Sequence, residues 1–194
     1  MLPLLLAACA TTPPKQLNDG CAIFREKNDW YGAASRASRK WGVPVSVQLA
    51  IIYQESRFRD NVKPPRDRLL GVIPWFRSSS AYGYAQAQDG TWAQYIRATG
   101  NRGADRDDFD DATDFIGWYV NESHRRLGIA RNDAYRQYLA YHEGQGGYAR
   151  RTYLKKRWLI RVAHAVSRRA DRYRRQVAGC REELAQQGWH LWPF

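Results

Sequence analysis

The sequence predicts an all-α domain, and two observations support this prediction. Apolar residues recur at helical spacing over most of the chain between residues 21 and 182, and no segment alternates convincingly with a period of two. Gly42 is placed to end one helix, and Pro44 to begin the next, where its missing N–H costs nothing. Helices are predicted at residues 30–41, 44–54, 90–98, 111–126, 133–142 and 152–178, with a break at Gly144, Gly146 and Gly147 before the last one.

The length and composition of the chain suit one domain with a proper core. The chain has 194 residues, of which 44% are hydrophobic. Residues 59–82 are rich in Pro, Gly and Ser, which predicts an irregular insertion. The predicted organisation is a signal remnant at 1–9, a tether at 10–20, the folded domain at 21–182 and an aromatic tail at 183–194.

The net charge of +12 indicates a polyanionic partner: nucleic acid, an acidic membrane surface or an anionic wall polymer. Much of this charge lies on the last predicted helix, and two interpretations of it stay open. One is a core-packed helix with a solvated basic face, and the other is a surface that attracts acidic lipid or wall polymer. The basic residues concerned are Lys155, Lys156, Arg157, Arg161, Arg168, Arg169, Arg172, Arg174 and Arg175.

The N-terminal segment MLPLLLAAC resembles the end of a secretory signal and is far too short to span a bilayer. Its last four residues, Leu6 to Cys9, match the bacterial lipobox, which predicts a lipid on Cys9 and a membrane as partner. Because Ala10 and not Asp follows, we expect the periplasmic face of the outer membrane. Export disfavours nucleic acid as the partner. The alternative is an untargeted apolar N-terminus with a chance Cys.

The other two cysteines, Cys21 and Cys180, flank the predicted domain. In an exported protein an even pair indicates a disulfide, and the alternative is two unrelated buried thiols. The chain lacks C-x-x-C pairs, so the sequence suggests no zinc site. We expect neither a metal nor another cofactor.

Glu55 stands at the end of a segment that is apolar on almost every face, Val45 to Gln54. Val47, Ile51 and Glu55 share one helical stripe, so a carboxylate ends a buried helix. Desolvation and the negative end of the helix dipole both favour its protonated form. A carboxylic acid held protonated near neutral pH suits a general acid for glycosidic-bond cleavage. The alternative is a Glu that turns out to water or caps a loop.

Three segments resemble motifs of the soluble-lytic-transglycosylase family, relatives of goose-type lysozyme. They are Glu55-Ser56-Arg57-Phe58 (family pattern E-S-x-F), Ser80-Ala81-Tyr82-Gly83-Tyr84-Ala85-Gln86 (S-x-x-G-L-M-Q) and Ala140-Tyr141-His142-Glu143-Gly144 (A-Y-N-x-G). The resemblance covers roughly residues 30–165 and implies a helical lysozyme-like domain. It departs from the family at Tyr84-Ala85, which replaces Leu-Met, and at His142, which replaces Asn and can titrate.

The resemblance implies an enzyme that acts on peptidoglycan glycan strands at the MurNAc-β-1,4-GlcNAc bond, without water, and leaves 1,6-anhydro-MurNAc ends. Glu55 is then the single general acid and base. Ser56 would orient it or the N-acetyl group, unless it only caps the helix. Gln86 would bind substrate amides or hydroxyls, unless it is a surface Gln, and Tyr141 would place its hydroxyl near Glu55, unless it is a core Tyr.

Further substrate-binding candidates are the sugar-stacking rings Tyr82, Tyr84 and Tyr148, with His142 and Glu143 at the cleft edge. Two other functions stay open. A muramidase would cleave the same bond with water and needs a second carboxylate, for which Glu143 and Asp60 are the candidates. A non-catalytic lipoprotein would only bind wall or anchor an unidentified envelope partner.

Overall fold

The computed structural model describes residues 12–64, 68–69, 73–74 and 79–187. Helices dominate these residues, so the all-α prediction is confirmed. The helices are α1 (Gly20–Glu26), α2 (Asn28–Trp41), α3 (Val45–Ser56), α4 (Asp89–Thr99), α5 (Phe109–Leu127), α6 (Ala134–Ala149) and α7 (Arg157–Gln187), with a 3-10 turn at Thr152–Lys155. Within the predicted insertion, β1 (Arg68–Leu69) pairs antiparallel with β2 (Ile73–Pro74). No helix of the described segments is long and apolar enough to cross a membrane.

Two glycines end or bend helices where the sequence predicts. Gly42 caps α2 in the left-handed conformation, with φ 71°, which residues with a side chain rarely adopt. Gly144, with φ 72° and ψ 157°, interrupts α6 rather than ending it. The predicted helix over 152–178 begins later, at Arg157, and extends to Gln187, nine residues beyond its predicted end at residue 178.

Helix α3 lies at the centre of the domain. Its residues from Ser46 to Tyr53 are all buried, because α7 covers one side and α2, α5 and α6 cover others. An aromatic cluster closes the core beside it: Trp30 stacks on Phe109 at 3.8 Å, and Tyr84 stands edge-on to both rings. The C-terminal end of α3, which carries Glu55, is therefore surrounded by rigid, closely packed side chains.

Cys21 and Cys180 form a disulfide, as predicted, with their Cα atoms 6.1 Å apart. The bond joins α1 to α7 across 159 residues of chain. On the chain-entropy model a loop of that length stabilises the fold by about 5 kcal/mol.

Residues 12–20 form the described part of the predicted tether; they are fastened to the domain, and Gly20 already begins α1. The carbonyl of Leu17 accepts a hydrogen bond from the Tyr173 hydroxyl, and Asn18 accepts from Arg169 and Gln176. Asp19 then caps α1 by accepting from the first backbone N–H groups of that helix. Cys9 and residues 188–194 lie outside the described residues.

Candidate active site

Glu55 is the last residue but one of α3, and the chain turns sharply after it. Arg57 and Phe58 both adopt left-handed backbone angles, with φ 55° and 58°. This strained turn is held by the Phe58 ring, which is fully buried against Trp30 and Tyr53. The buried helix and the buried ring together fix where the Glu55 carboxylate points.

Glu55 is half-buried, and its carboxyl lies in a desolvated environment formed by protein. Burial raises its pKa from 4.5 to about 7, because a charge is poorly solvated there. A hydrogen bond with Tyr138 opposes this shift by stabilising the charged form. The predicted effect of desolvation is confirmed, and the group can both donate and accept a proton near neutral pH.

The hydroxyl that forms a hydrogen bond with Glu55 belongs to Tyr138. Tyr138 is buried on α6, and its pKa lies far above the ordinary value because of burial and the Glu55 charge. Tyr141, one turn later, feels the same charge but donates its hydroxyl hydrogen to the Ala85 carbonyl at 2.6 Å. The structure therefore adds Tyr138 as the direct hydrogen-bond partner of Glu55, and the substrate-binding role predicted for Tyr141 stays a prediction. Tyr138 could have been suspected because it lies one helical turn before Tyr141.

An open cleft of about 250 Å³ is lined in part by Tyr141. Glu55 is not itself among its described lining residues, but Tyr141 both lines the cleft and interacts with the Glu55 charge, so the two lie close together. Tyr141 is held in place by Tyr119, whose ring stands edge-on at 5.0 Å and whose hydroxyl donates to the Ala140 carbonyl. The lining residues are Gln86, Ala87, Gln88, Thr91, Phe115, Tyr119, Tyr141, His142, Glu143 and Gly144.

Gln86 lines the cleft in a strained left-handed conformation, with φ 49°. Its amide NH₂ donates to the carbonyls of Val62 and Gly83 at 2.8 and 2.9 Å, which pins together the two ends of the insertion. Its amide oxygen is then the atom that can accept a hydrogen bond from a ligand. Gln86 thus has a structural role beside the binding role predicted for it.

Glu143 lines the same cleft, but its carboxylate is fully engaged. Its side chain is only 3% exposed, Lys156 lies 2.6 Å from it, and Thr152 and His142 also hydrogen-bond it. These partners lower the pKa of Glu143, so its carboxylate stays ionised, and the neighbouring Lys156 balances its negative charge. His142 is exposed at the cleft edge, with its ring edge-on to the exposed Trp158 at 5.1 Å.

Two predicted substrate-binding residues have buried side chains, which argues against direct contact with a sugar. Ser56 is 1% exposed, and its hydroxyl donates to the Ile52 carbonyl of its own helix turn at 3.2 Å. Tyr84 is also 1% exposed, with its ring edge-on to Trp30 and Phe109, so it offers no face to a sugar. Both residues shape the core next to the site.

Tyr82 and Tyr148 are partly exposed but lie outside the described cleft lining. The Tyr82 hydroxyl donates to Asp107 at 2.7 Å, and that contact raises the pKa of Tyr82 to about 12. Tyr148 stacks on Tyr153 at 5.3 Å. Their sugar-stacking role stays a prediction.

The fold and the site define a helical lysozyme-like domain, in which one carboxyl that titrates near neutral pH ends the central helix beside an open cleft. A family model of the transglycosylase SLT domain matches residues 1–180, and the chain belongs to this family. Its members are peptidoglycan lytic transglycosylases, lyases that act on glycosidic bonds. No curated protein is significantly similar to the chain.

Proposed function

We propose that the chain cleaves the MurNAc-β-1,4-GlcNAc bond of peptidoglycan without water, with Glu55 as its only acid and base. The observation that carries this proposal is the contrast between the two carboxyls near the cleft. Glu55 has a pKa of about 7, whereas Glu143 is held ionised by Lys156. One group is therefore suited to proton transfer and the other to holding the structure.

In the proposed reaction, protonated Glu55 donates its proton to the bridging O4 oxygen as the bond from C1 to O4 breaks. The new carboxylate is stabilised by the Tyr138 hydroxyl. It then removes the proton from the muramic C6 hydroxyl, whose oxygen bonds to C1 and closes the 1,6-anhydro ring. The proton returns to Glu55, so the cycle consumes no water and needs no second carboxylate.

The rival function is hydrolysis by a muramidase, which needs a second carboxylate to activate water or trap the sugar. Glu143 is a poor candidate, because its oxygens already accept from Lys156, Thr152 and His142. Asp60, the other candidate, is buried and close enough to Tyr82 to influence the pKa of that residue. The contacts of Glu143 favour the single-acid route.

Mass spectrometry of the muropeptides released from purified peptidoglycan tests this proposal. The wild type should release products one water lighter than those of hydrolysis, and Glu55→Gln should release none. Glu182→Gln, an exposed change on α7, is the matched control and should behave as the wild type. Hydrated ends that depend on Glu55 would make the chain a muramidase, and release by Glu55→Gln would refute the role of that residue.

We also propose that a lipid on Cys9 holds the enzyme at the periplasmic face of the outer membrane. The support is the Leu6-Ala7-Ala8-Cys9 pattern, followed by Ala10. Membranes washed at high salt should retain the wild type and release Cys9→Ser, and mass spectrometry of the N-terminal peptide should show the acyl chains. Retention of both proteins after the wash would exclude the lipid as the anchor.

A further inference from the structure

The outer face of α7 carries a row of five arginines, called here the arginine row. Its members follow one another at intervals of four, seven, four and three residues, so they share one face of the helix. The row extends over about 27 Å, at 1.5 Å per residue. Its members, all exposed, are Arg157, Arg161, Arg168, Arg172 and Arg175.

The arginine row lacks counter-charges within the described part of the chain. No described carboxylate lies within ion-pair distance of any of the five guanidinium groups. Asp171 is the acid nearest to the row in sequence, and its carboxylate pairs with Arg174 instead. Five like charges in one line repel each other, and an external array of anions would offset that repulsion.

The arginine row faces away from the core of the domain and does not line the cleft. The residues of α7 that are buried in the core, among them Leu159, Val166 and Tyr173, lie on the opposite side of the helix. The described lining of the cleft contains no member of the row. A glycan strand held in the cleft is therefore not the natural occupant of this face.

The N-terminal segment reaches the domain on the flank of the same helix. Leu17 and Asn18 are hydrogen-bonded to Tyr173, Arg169 and Gln176, and the disulfide to Cys180 follows directly. The apolar sequence that ends at Cys9 is three residues from Thr12, where the described chain begins. Three residues span at most about 10 Å, so this apolar sequence joins the chain close to the domain.

We propose that the arginine row binds the headgroups of an anionic phospholipid bilayer, with α7 lying along the membrane surface. Positive charge supplies most of the attraction of a protein to such a surface, and it acts only within a Debye length. In the proposal made above, a lipid on Cys9 holds the protein at the bilayer, and the arginine row sets which face of the domain meets it. This interaction is independent of the chemistry proposed for Glu55.

Vesicle co-sedimentation of the full chain tests the proposal, with Cys9→Ser in every protein to prevent acylation. The row variant carries Arg168→Gln, Arg172→Gln and Arg175→Gln. The control carries Arg39→Gln, Arg97→Gln and Arg102→Gln, which remove the same charge from exposed positions elsewhere. The vesicles are phosphatidylcholine, alone or mixed with phosphatidylglycerol.

At low salt the row variant should bind the anionic vesicles about 100-fold more weakly than the Cys9→Ser protein, since each arginine near such a surface contributes about fivefold. The control should lose less than about tenfold, and all three proteins should bind pure phosphatidylcholine equally. An equal loss in both variants, or none in the row variant, would overturn the proposal. The same holds if the row variant loses binding to purified peptidoglycan more strongly than to anionic vesicles.

Discussion

Replacing Tyr138 by Phe should move the pH at which the enzyme loses activity upward. In the proposed reaction Glu55 must be protonated to donate, so activity falls as pH rises through its pKa of about 7. The Tyr138 hydroxyl stabilises the charged carboxylate and therefore lowers this pKa. Without that hydroxyl, the effect of burial on the Glu55 carboxylate is no longer offset by this hydrogen bond, and the pKa of Glu55 rises.

The size of the shift follows from one hydrogen bond to a charged group. Such a bond contributes about 1.5–3 kcal/mol, and one pKa unit corresponds to about 1.4 kcal/mol. The pKa of Glu55 in Tyr138→Phe should therefore rise by about one to two units. The maximal rate should fall as well, because the carboxylate left after proton donation loses its hydrogen-bond donor.

The assay is the rate of anhydro-muropeptide release, measured on both sides of pH 7 for the wild type and Tyr138→Phe. Tyr135→Phe is the matched control, because Tyr135 lies on the same helix and stacks on His164. Titration of the Glu55 carboxyl carbon by NMR measures the same pKa without turnover. The reasoning would be refuted if, with the fold intact, Tyr138→Phe lost activity at the same pH as the wild type or at a lower pH.

Three further predictions concern stability. Because folding raises the pKa of Glu55 from 4.5 to about 7, the wild type should lose stability as pH rises through that window. Glu55→Gln avoids this loss, so urea unfolding above pH 7 should find it more stable by at most about 3 kcal/mol. Cys21→Ser with Cys180→Ser should cost about 5 kcal/mol in the same assay. Gly83→Ala should cost more than about 2 kcal/mol, since φ is 77° and the new Cβ would lie 1.9 Å from the Arg106 carbonyl oxygen.

Each of these predictions has an outcome that would contradict it. A stability difference between the wild type and Glu55→Gln that does not change with pH would mean that the carboxyl titrates normally. Equal urea midpoints for the disulfide-free variant and the oxidised wild type would show that the disulfide does not stabilise the fold by restricting the unfolded chain. For the glycine, Gly103→Ala is the control, because nothing lies within 4 Å of the added carbon, and an equal cost at both sites would exclude the clash.

The sequence by itself determined the features that depend on local chemistry. The period of apolar residues specified the helices, Gly42 specified the end of α2, and the apolar surround of Glu55 predicted its raised pKa. The even cysteine pair predicted the disulfide. These predictions hold because capping, periodicity and desolvation of a core helix are properties of neighbouring residues.

The tertiary structure alone decided which side chains meet at the site. Tyr138 and Tyr141 lie one turn apart on one helix, and only the packing of α6 against α3 places the first at Glu55 and the second at Ala85. Packing likewise brings Lys156 to within 2.6 Å of Glu143, one of the two candidate second carboxylates. Each outcome depends on the rotation of one helix against another by a fraction of a turn, and a pattern along the chain does not contain that angle.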